Sequence, residues 1–157
     1  METAMSSLKA HSQTLYETDY LQWIETTVEK LQSQDYANVE WENLIEEIAD
    51  MGRSERRSLK SNLIVILMHL LKWQFQPDKR SGSWERSIIE HRRRVKEALD
   101  DSPSLKSYLE IVFAECYAQA VKQAKAETGL SMESFPLNCP YQLAEVTDDE
   151  FLPKNWV

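Results

Sequence analysis

Glycine is almost absent from this chain, with three residues among 157, and only five prolines and two cysteines accompany them. So few glycines leave no material for a glycine-rich phosphate loop or a dinucleotide-binding turn, and G-x-S-x-G and H-E-x-x-H are missing as well. The common hydrolase and dinucleotide folds are thereby excluded. With 42% hydrophobic and 28% charged residues, the composition is that of a mainly α-helical globular protein rather than a β-rich or disordered one. Cys116 and Cys139 form no C-x-x-C pair, which excludes zinc-knuckle and redox spacings and predicts two reduced thiols. No run approaches the ~20 apolar residues of a membrane span, and the opening METAMSSLKAHSQTLYETD lacks the apolar core of a signal peptide. The expectation is a soluble, cytoplasmic, single-domain protein. Its net charge of -8 argues against general nucleic-acid binding, which depends on neutralising phosphates, although a local basic patch could still do so.

What the chain does have is apolar residues at helical spacing. Tyr16, Tyr20, Trp23, Ile24, Thr27, Val28 and Leu31 mark a first helix over residues 18–34, with Thr18 as candidate N-cap. Asn38 is placed to cap a second stripe of Trp41, Leu44, Ile45 and Ile48. That stripe continues in phase through Leu59, Leu63, Ile66, Leu67 and Leu70, so residues 38–76 form one long helix or two collinear ones hinged at Gly52. Ser83 then caps a helix with Trp84, Ile88, His91, Val95 and Leu99 on its apolar side. Ser102 and Pro103 start another, carrying Leu105, Leu109, Val112 and Cys116 and stopped by Gly129. The remaining residues show no sustained period, but Phe135, Tyr141, Leu143, Phe151 and Trp156 predict an extended tail packed along the helices, and residues 1–14 read as a mobile arm.

Few residues suggest chemistry. In LIVILMHLLKWQFQP, His69 and Lys72 fall opposite Leu67, on a second helix face, and Asn43, Glu46, Glu47 and Asp50 form a polar face upstream. Two carboxylates at three- or four-residue spacing can share a divalent cation, so Glu46, Asp50 and His69 are the candidate metal ligands. The plainer alternative is a solvated acidic face and a structural ion-pair network. No glutamate stands three residues before a histidine, which disfavours the di-iron bundle signature. Arg86, Arg93 and Arg94 offer a possible anion-binding face, or simply pair with Glu85, Glu90 and Glu97 along the helix. Arg92 is expected at the stripe margin, covering the core with its alkyl stem, and His91 inside the stripe as a core residue.

The words LYETDYLQW, WENLIEEIADMGRS, HLLKWQFQP, SW, RRR, DSPSL, ETGL and FPLNCPY, spread over roughly residues 15–153, make the chain resemble the bacterial, largely cyanobacterial, domain of unknown function family 29. The resemblance implies an all-α bundle and carries over no cofactor or catalytic residue. It also sets His91 apart, since similar sequences often hold glutamine or another polar residue there.

These observations together predict an all-α, mostly up-and-down bundle of about five helices with an extended C-terminal tail, its stripes buried by packing. The leading functional expectation is a non-catalytic interaction or regulatory module with a protein partner or a second copy of itself, and no cofactor. The alternatives are a metal-dependent hydrolase of nucleotides or nucleic acid, and an RNA-associated regulator using the arginine face.

Overall fold

A computed structural model describes residues 14–155, and among them every regular element is helical. His11, the rest of the N-terminal arm and Trp156 lie outside the described residues. Four helices are long: α2 (Tyr20–Gln32), α3 (Trp41–Phe75), α4 (Gly82–Asp101) and α5 (Leu105–Thr128). Two are single turns, α1 (Leu15–Thr18) and α6 (Leu143–Val146). The all-α expectation holds. The chain divides into two compact units, one ending at Met51 and the other beginning at Gly52. That division falls at the glycine the sequence offers as a hinge, yet α3 runs through it unbroken for 35 residues.

The first unit is a helical hairpin. Asp19, not Thr18, caps α2, accepting the Gln22 amide at 3.1 Å, because Thr18 is already the last residue of the preceding turn. At the other end Asp35 N–H donates to the Lys30 carbonyl and Gln34 N–H to the Leu31 carbonyl, a Schellman closure that puts Gln34 at φ 61°. Asn38 does not cap α3: it sits in a 3-10 turn over Tyr36–Asn38 and donates to the Asp35 carboxylate at 2.9 Å. α2 meets α3 on its polar side, where the Trp23 indole donates to Glu40 and the Tyr16 and Tyr20 hydroxyls to Glu47. The apolar stripe is therefore left outside, with Trp41 47%, Ile45 63% and Ile48 60% exposed. This corrects the expectation that packing buries it. Glu40 and Glu47 are seven residues apart, one face of the helix, and the aromatic residues of α1 and α2 pack where those carboxylates accept their polar edges.

The second unit holds the main core. Leu59, Leu63, Ile66, Leu67 and Leu70 of α3, Ile88 and Val95 of α4, and Leu109, Cys116, Ala120 and Ala124 of α5 are fully buried or nearly so. The α4 cap is Ser81, two residues before the expected one, accepting from Trp84 N–H at 3.3 Å. Ser102 and Pro103 form a turn ahead of α5, whose cap position is Ser104, and Gly129 ends α5 at φ 72° as its sequence predicts.

Beyond Gly129 the tail packs on this core through Phe135, Tyr141 and Val146, all buried. Tyr141 donates to the Gln74 side-chain oxygen at 2.6 Å, both groups buried, and Tyr117 donates to the Pro136 carbonyl. The largest departure from expectation is Arg92, which is only 2% exposed and occupies the α4 core stripe, displacing His91 to its edge. Its guanidinium donates to the Val146 carbonyl at 2.9 Å, the Phe151 carbonyl at 2.9 Å, and more loosely to those of Glu145 and Asp149. A planar fork with five N–H donors can hold several carbonyls at once, which is why this charge tolerates burial where lysine would not.

Two stability outcomes follow from these contacts. Arg92→Met keeps the apolar stem but orphans the tail carbonyls, so it is expected to cost about 3 kcal/mol in urea unfolding, with Arg92→Lys recovering less than half. Gln34→Gly relieves the left-handed strain and is expected to gain about 0.5–1 kcal/mol by the same measurement.

Candidate functional site

The second face of α3 faces other side chains rather than water. Lys72 is 7% exposed; its ammonium pairs with Glu127 of α5 and lies 4.5 Å from the centre of the Trp84 ring. Its stem is thus buried while its head reaches a carboxylate at the edge of the unit. Trp84, which the sequence places on the α4 core stripe, supplies that ring. His69, half-buried one turn before Trp73, donates from Nδ1 to the Val65 carbonyl at 2.9 Å. Burial is the main cause pulling its imidazole below the ordinary histidine range, the neighbouring Lys72 charge adding to it and the helix carbonyl opposing it.

The acidic candidates lie in the first unit. Glu47 accepts from two phenols, and that hydrogen bond is the first cause raising Tyr16 to about 12 and raising Tyr20 as well. Asn43 donates weakly to Glu40 at 3.5 Å, and the charges of Glu46 and Asp50 act on Tyr16 and Tyr20 respectively. His69 belongs to the second unit, and among the described residues no three histidine, cysteine, aspartate or glutamate side chains group in a way that could hold a metal ion.

The arginine candidates separate. Arg86 is exposed on α4. Arg93 is clamped between Glu90 and Glu97, and these carboxylates raise its guanidinium pKa while Glu90 is lowered to about 2. Arg94 donates only its Nε–H to Glu90, at 3.0 Å, and lines a polar cleft of about 440 Å³ with Ser54, Arg57, Ser58, Ser61, Asn62, Val65 and His91. Every lining residue comes from α3 or α4 within the second unit. His91 donates from Nδ1 to the Ser87 carbonyl at 2.7 Å, which leaves Nε2 for whatever enters. Sequence reasoning missed the serines. Ser54, Ser58, Ser61 and Asn62 do recur at three- and four-residue spacing on one helix face, but serine on a helix ordinarily marks nothing more than solvent.

A second hollow, about 540 Å³, lies between α5 and the tail and is mostly apolar, lined by Tyr117, Val121, Met132, Phe135 and Leu137 among others. Neither cysteine offers a nucleophile: burial pushes both Cys116 and Cys139 up to about 11, so each is a neutral thiol at physiological pH.

The architecture defines an all-α helical protein, built of long helices with an extended, pinned tail. The chain belongs to the family described as Domain of unknown function DUF29, whose model matches residues 15–152. No curated protein and no solved structure matches it.

His69 gives a pH test. Burial makes the folded chain hold the imidazole's proton less readily than the unfolded chain, which takes one up near the ordinary value of about 6.5. Below that value the unfolded state binds more protons, so stability present at neutral pH falls as pH drops. His69→Gln is expected to flatten the fall in melting temperature between about pH 7.5 and about pH 5.5; an unchanged slope refutes the assignment.

Proposed function

We propose that this protein is a non-catalytic interaction module whose partner is a second copy of the same chain. The observation that carries the proposal is the exposed apolar face of the first unit. Among the described residues of this unit only Trp23, Thr27 and Val39 are buried, whereas Tyr20, Leu21, Val28, Trp41, Ile45, Ile48 and Met51 are each exposed by more than two fifths. A helical hairpin with so small an interior lacks the apolar burial that stabilises a bundle, and an amphipathic helix needs a cover for its stripe. Two hairpins laid face to face would supply it as four packed helices in an isologous, two-fold arrangement.

The disposition of the polar groups supports the non-catalytic part of the reading. Lys72, Gln74, Arg92, Tyr117 and Tyr141 are each engaged in bonds that hold the fold together. Groups so committed position helices and tail rather than substrates.

Sedimentation equilibrium tests the proposal. The wild-type chain is expected to dimerise, and Ile45→Glu or Ile48→Glu to weaken association by roughly tenfold to a hundredfold through lost apolar burial, with unchanged helical circular dichroism. A wild-type chain that stays monomeric at high concentration, or dimers indifferent to both substitutions, would overturn it.

A further inference from the structure

We infer that the α3/α4 cleft of the second unit is a binding site for a small phosphate monoester. Its lining carries two guanidinium groups, an imidazole, three hydroxyls and a carboxamide, with Val65 the single apolar side chain and no carboxylate among them. Guanidinium groups only donate hydrogen bonds, and their fork matches two oxygens of a phosphate, so paired arginines select a tetrahedral oxyanion over a cation or an apolar ligand. Ordinary small-molecule pockets have predominantly apolar walls, and this one does not.

The two arginines are prepared differently. Arg94 is held through its Nε–H by Glu90, which restrains the guanidinium plane and leaves the terminal nitrogens, with four of its five N–H donors, outside that bond. Glu90 accepts from both Arg93 and Arg94, and Arg93 has Glu97 as a second partner, so Arg94 holds only a share of one carboxylate. Arg57 comes from α3 and enters no ion pair among the described residues. Guanidinium groups thus border the cleft from both helices, with the serine ladder on α3 beside Arg57.

The hydroxyl and carboxamide groups beside the arginines favour an ester over inorganic phosphate. The open cleft of about 440 Å³ has room beside a phosphate for a few hydroxyl-bearing carbons. Ser54, Ser58, Ser61 and Asn62 both donate and accept, as ligand hydroxyls require. The arginines would take the phosphate and the serine and asparagine groups the polyol.

Isothermal titration with glycerol 3-phosphate, inorganic phosphate and glycerol separates the terms. Glycerol 3-phosphate is expected to bind saturably at one site per chain, inorganic phosphate to compete more weakly, and glycerol not to bind. Arg57→Ala and Arg94→Ala should each weaken binding at least about tenfold. Arg93→Ala, one residue away but outside the cleft, should stay within about twofold, and Ser58→Glu should abolish binding by placing a carboxylate among the donors. All four positions are exposed, and circular dichroism checks that each variant folds. Absence of saturable binding overturns the site, as does an Arg93→Ala loss equal to that of Arg94→Ala, which would mean a diffuse field. Neither outcome bears on self-association.

Discussion

Of the two buried cations among the described residues of the second unit, Arg92 is the one that pins the tail. The Arg92 guanidinium reaches out of the α4 core stripe to four backbone carbonyls between Glu145 and Phe151. The Glu145 carbonyl also accepts from Asp148 N–H, but the tail lacks the strand or long helix that would satisfy the others internally. The charge needs acceptors because it is buried, and the tail needs donors because it is irregular. Each removes the other's desolvation cost, which is why neither part of the structure is stable in this place without the other. Around this contact Tyr141 with Gln74, and Tyr117 with the Pro136 carbonyl, add two more fixed points between tail and helices.

Much of this was legible in the sequence wherever periodicity and capping agree. The α5 stripe of Leu105, Leu109, Val112 and Cys116 and its stop at Gly129 are both where spacing and glycine chemistry place them. Arg92 was not legible, because an arginine in a stripe reads as a flexible stem at the margin, and nothing local reveals carbonyls more than fifty residues away. Lys72 was half legible: its phase sets it off the Leu67 side correctly, but phase cannot say that Trp84 and Glu127 cover the other side. Trp41, Ile45 and Ile48 show the opposite failure. Their period is helical, yet packing chose the carboxylate face of α3 because Trp23, Tyr16 and Tyr20 carry polar edges that need acceptors.

The candidate site has the same history. Arg94 belonged to a recognisable basic run, but its neighbours in space are Arg57 and three serines from an earlier helix. A run of arginines along one helix sends successive side chains in different directions, about 100° apart. Arg92 therefore enters the core, Arg93 joins a solvated carboxylate clamp and Arg94 borders a cleft, three roles for three consecutive identical residues.

The separation between Arg92 and its acceptors also orders events in time. The acceptors follow it by 53 to 59 residues. At about 5–20 residues per second on the ribosome, the guanidinium waits roughly 3–12 seconds for them to be made. During that interval burying α4 would strand a charge without partners, so the helix must stay wet on its core side. The second unit closes late, and the same residue that completes it also keeps it from closing early around an unfinished chain.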